Sequence, residues 1–295
     1  PATLPAISGA NLTNLPAGGA TSINGLSDGY NVGDSVGLGT GALANDDGTN
    51  ANTAVGKNAL QTNTSGTYNA ALGLSSLYSN TTGSSNTAVG ATALQSNTTG
   101  GYNTANGAYA LQANTTGNYG TATGYQALYA NTTGGENTAT GRFVLKANTT
   151  GEANTATGSL AMFANTTGQK NTATGYATLR YNTTGNQNTA NGYDSLRANT
   201  TAIRNTAIGY YSLRATTTGH SNTSSGAYSL YSNSTGTQNV GVGYGAGSTI
   251  TTGSNNTIIG SYTGAAALAD TVVLAAGSTE RLRVDASGLT INGAA

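Results

Sequence analysis

Six residues, Tyr176, Arg180, Tyr193, Arg197, Tyr210 and Arg214, form three Tyr/Arg pairs, and each pair follows the last by seventeen residues. If successive pairs stack, they make a ladder in which phenol rings can meet sugar faces and guanidinium forks can donate to hydroxyls or acidic groups. These are the candidate glycan contacts. Stacking arginines about 5 Å apart is mildly unfavourable even in water, so the pattern asks for a reason. The alternative is that outward positions take long residues whose stems cover alanine-rich surface. The arginine row starts earlier, with Lys146 and Phe163, and ends on Tyr231.

Other chemistry finds little support. Glycan hydrolysis needs paired carboxylates, and the repeated region offers only Glu136, Glu152 and Asp194. Glu136 and Glu152 fall close enough in the pattern to approach each other, or they are two solvated loop carboxylates. A single histidine, His220, supports neither a catalytic triad nor a metal cluster. The Gly241-Val242-Gly243-Tyr244-Gly245 run lacks the helix, lysine and acidic partner of a phosphate-binding loop. The chain is therefore expected to be non-enzymatic and without cofactor. A different ladder consists of Thr121/Thr123, Thr138/Thr140, Thr155/Thr157 and Thr172/Thr174, four consecutive Thr-Ala-Thr segments. Flat arrays of paired threonines resemble the ice-binding faces of β-solenoid antifreeze proteins, although threonine is also what a strand favours on its outer face.

What positions these residues is a repeat of seventeen. Stepping from Asn52 by that interval lands on asparagine in every unit to Asn256 except at Gly120, and glycine follows four places on, from Gly56 to Gly260. Thirteen units without an insertion imply a solenoid with one coil per unit. In each unit Asn-Thr-Ala-x-Gly suits a short strand with alanine inward and its neighbours outward, and the glycine allows a bend. The x-x-Ala-Leu-x-x-Asn that follows makes a second wall, either a strand or one helical turn. Thr-Thr-Gly closes the coil, with its glycine expected at positive φ. The recurrent Asn-Thr-Thr at Asn80, Asn97, Asn114, Asn131, Asn148, Asn165, Asn182 and Asn199 is a formal glycosylation acceptor, but the turn explains it.

Composition agrees with such a rod. Only 7% of the chain is charged and 44 of its 295 residues are glycine, which argues against ordinary globular packing. Disordered tracts would not keep so strict a period. A net charge of zero gives no basis for wholesale nucleic-acid binding, and no apolar run approaches the roughly 20 residues of a membrane-spanning helix. The lack of cysteine removes disulfides. Residues 1–34 contain all three prolines and read as an extended connector, 35–264 as the solenoid with Ser35-Val36-Gly37-Leu38-Gly39 as a worn capping coil, and 265–295 as a C-terminal β segment. Beginning at Pro1, the chain reads as a fragment or processed product.

The ninth position of the unit carries Leu60, Leu77, Leu94, Leu111, Leu128, Leu145, Met162, Leu179, Leu196, Leu213 and Leu230. One such side chain per coil contributes about 1.5–3 kcal/mol on burial, against about 1–2 kcal/mol for ordering each backbone residue. A single chain therefore looks marginal. Three chains closing this stripe around a common axis would bury it, so a homotrimer, intertwined or side by side, is expected.

The Asn-Thr-Ala-x-Gly repeat resembles the left-handed β-roll heads of trimeric autotransporter adhesins, and Leu4-Pro5-Ala6-Ile7-Ser8-Gly9-Ala10-Asn11-Leu12 is similar to segments of bacteriophage tail fibres. Asp270-Thr271-Val272-Val273-Leu274 with Glu280-Arg281-Leu282-Arg283-Val284-Asp285-Ala286-Ser287-Gly288-Leu289-Thr290-Ile291 reads as two strands with an Asp-Ala-Ser-Gly turn. It resembles the segment that precedes an endosialidase-type intramolecular chaperone in phage fibres, and no such chaperone follows before Ala295. The resemblance implies a trimeric, fibrous, extracellular protein on a virion tail or bacterial surface, whose partners are its own copies and cell-surface glycan.

Overall fold

The computed structural model describes residues 29–292, so most of the expected 1–34 connector lies outside the described residues. Its last part forms β1 (Gly29–Val32), which pairs antiparallel with β2 (Ser35–Leu38). Thirteen three-residue strands follow, from β3 (Thr53–Val55) to β15 (Thr257–Ile259), each beginning seventeen residues after the one before. Then come β16 (Val272–Ala276), β17 (Thr279–Asp285) and β18 (Gly288–Ile291). From β2 to β16 every neighbour pairs in parallel and in register, so that Ala54 lies beside Ala71 and Ala173 beside Ala190. The fold is an all-β parallel β-solenoid. No helix occurs among the described residues.

The expected boundary at 264 moves outward. Val273 of β16 pairs with Ile258 and is fully buried, taking the inward place that alanine holds elsewhere, so this strand completes one more coil. Only then does the chain reverse: β17 and β18 pair antiparallel around the Asp285-Ala286-Ser287-Gly288 turn.

The alternation expected of Thr-Ala-x is present, with alanines such as Ala122, Ala139 and Ala156 fully buried and their neighbours partly or wholly exposed. The leucine stripe requires a correction. Leu60, Leu77, Leu94, Leu111, Leu128, Leu145, Met162, Leu179, Leu196, Leu213 and Leu230 are all fully buried within the single chain, stacked against the strand alanines. The stripe is the solenoid's own core, and it supplies no reason for three chains to associate. Towards the C-terminus Gly247 takes the leucine's template place, and Ile250 and Ile258 fill the interior.

The second wall is neither strand nor helix. It is a run of turns in which non-glycine residues recur at positive φ: Asn58 (φ 60) and Leu60 (φ 49) in the first full coil, with Tyr68 (φ 59) at its end. This left-handed conformation costs an L-residue about 1–2 kcal/mol. What offsets it is the direction of the N–H groups. Asn58 donates to Thr40 of the preceding coil at 2.9 Å, Leu60 to Ser76 of the next at 3.0 Å, and Tyr68 back to Asn50 at 3.0 Å. A right-handed turn would satisfy these donors within the coil; here they bind one coil to another, as backbone accounting requires.

Thr-Thr-Gly behaves differently from expectation as well. Its glycine is not at positive φ; the glycine that is, such as Gly141 (φ 129), is the one ending Asn-Thr-Ala-x-Gly. At the closing turn the amides of Thr149, Thr150 and Gly151 converge on the Thr166 carbonyl at 2.9, 3.3 and 3.3 Å. Glycine is needed there for close approach: a Cβ on Gly151 would lie 2.4 Å from the Gly168 carbonyl oxygen.

Two asparagine ladders run inside the rod. Beside the closing turn, each Asn from Asn80 to Asn199 donates its amide to the Asn Oδ1 one coil earlier, as Asn148 does to Asn131 at 2.8 Å. These are the formal glycosylation asparagines, and all are buried and engaged. The row begins on Asp46, which accepts from Asn63 at 3.3 Å, and ends at Asn199, whose Oδ1 is left without a donor because Thr216 occupies the next rung. In the other ladder each strand asparagine accepts the backbone N–H of the next, as Asn137 Oδ1 does from Asn154 at 3.0 Å.

Candidate functional surface

Stacking of coils brings the sequence-predicted ladder together. Tyr176 and Tyr193 stack with ring centroids 5.1 Å apart and planes at 17°, and Tyr193 and Tyr210 at 5.5 Å and 22°. The rings therefore turn their faces onto one another. What they present outward is edges and hydroxyls, so the expectation that each ring offers a flat face to a sugar does not hold for Tyr193. A hydrogen bond with Tyr211, together with partial desolvation, pushes the Tyr210 hydroxyl well above the usual phenol range. Partial desolvation, followed by the Asp194 carboxylate, pushes Tyr193 up too. These hydroxyls stay neutral donors at any physiological pH.

The arginines of the ladder lie alongside. Arg197 Nε is 3.5 Å and Arg214 Nε 3.9 Å from opposite oxygens of Asp194, and Arg214 Nη1 donates to the Tyr231 hydroxyl at 3.1 Å. Among the described residues Arg180 has no carboxylate partner; its guanidinium lies 5.3 Å from the Tyr181 ring centroid and 6.0 Å from that of Phe163. Such contacts orient a cation without neutralising it.

Sequence reasoning placed Tyr231 at the end of the arginine row but missed Tyr211, Tyr228 and Tyr244 as parts of the same aromatic surface. Tyr211, Tyr228, Tyr231 and Tyr244 extend the row towards the C-terminus, with Tyr210–Tyr211 centroids 4.0 Å apart and Tyr228–Tyr244 at 5.8 Å, edge to face. Tyr228, Tyr231 and Tyr244 wall a largely apolar groove of about 550 Å³ rimmed by Ser248 and Ser261. Tyr244 is 66% exposed and has the free ring face that Tyr193 lacks. The available signal was adjacency of template positions: Tyr210-Tyr211 and Tyr228 point to one face, but Ala227 interrupts the row when a single position is followed.

The threonine ladder is also assembled. In β7 (Thr121–Thr123), β8 (Thr138–Thr140), β9 (Thr155–Thr157) and β10 (Thr172–Thr174) the pairs lie in exact parallel register. Beyond these four strands one row stays mostly threonine, interrupted by Ala70 and Val240, while the other turns to residues such as Leu72 and Ile208. Glu136 and Glu152 come onto the wall of one hollow of about 320 Å³, together with Tyr119 and Lys170, and both carboxylates are exposed. Among the described residues no group of three or more His, Cys, Asp or Glu is placed to hold a metal ion, and no helix is long and apolar enough to cross a membrane. Compared with known proteins, the chain matches no family model, no curated protein and no solved structure.

Proposed function

We propose that this chain is a non-catalytic rod that presents an attachment surface, as the shaft or head of a phage tail fibre or a cell-surface adhesin, and that its ligand is glycan on a host cell. The observation that carries the reading is the tyrosine-walled groove at Tyr228, Tyr231 and Tyr244. A concave apolar wall with hydroxyls at its rim matches the amphipathic faces of a sugar, and contiguous exposed apolar surface of this kind marks a contact site. The rod's stiffness, fixed by inter-coil hydrogen bonds at every turn, suits a spacer. The test is Tyr244→Ala, assayed on an array of bacterial polysaccharides. Loss of an exposed aromatic anchor is expected to cost about 1–2 kcal/mol, roughly 5- to 30-fold in affinity. Unchanged binding to every polysaccharide retained by the wild type would remove the groove from the reading.

The in-register threonine pairs favour a second reading, an ice-binding face. Along each strand the paired hydroxyls are about 6.6 Å apart and between coils about 4.8 Å, and their exposure, partial at Thr121, Thr123 and Thr138 and greater from Thr140 to Thr174, leaves them open to an ordered surface. Thermal hysteresis of the purified protein, abolished by Thr140→Tyr, is the expected result under this reading; its absence at high concentration ends it.

A further inference from the structure

We infer that the face carrying Arg180, Arg197 and Arg214 is an anion-binding strip, and that the polysaccharide it takes is an acidic one, bearing carboxylate or sulfate groups. The inference rests on the glycan-attachment reading and gives it a substrate class.

The argument is one of uncompensated charge. The whole chain is neutral, with ten cationic and ten acidic side chains, yet they are not evenly spread. Between residues 137 and 231 one side of the rod carries Arg142, Lys146, Arg180, Arg197 and Arg214 on successive or near-successive coils, and Asp194 is their one carboxylate partner. Asp194 is shared by Arg197 and Arg214 at 3.5 and 3.9 Å, and among the described residues no carboxylate lies within ion-pair distance of Arg142, Lys146 or Arg180.

In place of carboxylates, these cations are braced by rings. Arg142 lies 4.3 Å from the Phe143 centroid, and Lys146 lies 5.0 Å from Phe143 and 5.7 Å from Phe163. Arg197 is 5.4 Å from Tyr181, and Arg214 is 5.0 Å from Tyr211. An aromatic face fixes a guanidinium in place but leaves its charge available. From Lys146 to Arg214 is four coil steps, so the strip is about 19 Å long, with positive charge recurring at the coil rise of about 4.8 Å from Arg180 to Arg214 and one uncharged rung, Phe163, between Lys146 and Arg180. A stack of like charges held this way is stabilised by a linear polyanion lying along it, because each anionic group meets a preoriented fork.

An acidic polysaccharide fits better than a single-stranded nucleic acid. Base recognition by stacking needs a free ring face for successive bases, and in the coils of the three arginines Tyr176, Tyr193 and Tyr210 are stacked on one another, which leaves the free face to Tyr244 in the groove beyond those coils. The strip also adjoins the tyrosine groove through the Arg214–Tyr231 hydrogen bond, so one chain can lie across both.

The experiment measures binding of the intact protein to polygalacturonate, dextran sulfate and uncharged dextran by calorimetry at several salt concentrations. The expected result is binding to at least one polyanion that weakens as salt rises, and a tenfold or greater loss in the triple variant Arg180→Gln/Arg197→Gln/Arg214→Gln with an unchanged circular dichroism spectrum. Absence of polyanion binding by the wild type, affinity insensitive to salt, or a triple variant that binds like the wild type would overturn the inference. So would tighter binding of oligothymidylate than of either polyanion. The salt series needs no variant, so a folding defect in the triple cannot rescue the idea. Neutral-polysaccharide binding that depends on Tyr244, with no polyanion binding, overturns this inference while leaving the attachment reading standing; loss of both overturns both.

Discussion

Replacing Gly151 with alanine is expected to be among the most damaging single changes in the rod. The added Cβ would lie 2.4 Å from both the Gly168 carbonyl oxygen and Asn148 Oδ1, and 2.9 Å from Asn165 Nδ2. The first of these is backbone of the next coil and cannot rotate away. Relief requires the coils to part, which stretches the three amide contacts to the Thr166 carbonyl. A loss of about 3–5 kcal/mol is expected, the range reached when a packed interior is overfilled and hydrogen bonds are broken as well. Urea denaturation followed by circular dichroism measures it. Gly277→Ala is the control: nothing lies within 4 Å of its Cβ, and its φ of 61 confines the penalty to local strain of about 1–2 kcal/mol. If the two variants melted alike, the close coil approach at Gly151 would be wrong.

Asn148→Leu is expected to cost as much by a different route. Asn148 donates to Asn131 Oδ1 at 2.8 Å and to the Gly151 carbonyl at 3.0 Å, and accepts from Asn165 at 2.7 Å. Leucine is close in volume but leaves those groups short of partners in a fully buried row. Asn131 Oδ1 is left without a donor, at about 1–3 kcal/mol, while the Gly151 carbonyl keeps Asn137 and Asn165 keeps Gly168, so their two lost bonds add about 0.5–1.5 kcal/mol each and the loss comes to about 2–6 kcal/mol. Asn148→Asp loses both donors and sets a buried carboxylate against two acceptor oxygens, so at neutral pH it should destabilise at least as much as leucine. Hydrogen exchange should show amides on the flanking coils opening first, since in a solenoid each coil is held by its neighbours alone. Equal protection across the three proteins would show that the ladder carries little energy. The row's natural end marks the tolerated limit: Asn199 Oδ1 already lacks a donor beside Thr216.

The period was legible because nothing but stacking demands it. An insertion in one coil would displace every ladder beyond it, so the asparagine, alanine, leucine and glycine columns keep their spacing together. The inward alanine of Asn-Thr-Ala-x-Gly followed from strand alternation alone, and the Tyr/Arg and Thr/Thr rows followed from the interval of seventeen.

Three features were not legible. The direction of the leucines depends on the backbone of the second wall, and that wall is built from left-handed non-glycine residues that local propensity disfavours. Only the tertiary structure, by aiming their N–H groups at adjacent coils, makes such residues affordable, and in doing so it turns Leu60 to Leu230 inward and makes the stripe one chain's core. The closing glycine was chosen for proximity between coils, a distance that no single unit contains. The candidate surface divides in the same way: which residues share a column was written in the sequence, whereas ring orientation was set by packing. Tyr176, Tyr193 and Tyr210 spend their faces on each other, the free face passes to Tyr244, and the arginines beside them are left braced by aromatics with a single carboxylate, Asp194, between them. The sequence by itself thus determined the repeat and its columns, because those are one-dimensional constraints. The tertiary structure decided what each column meets, because contact between coils depends on backbone direction and separation.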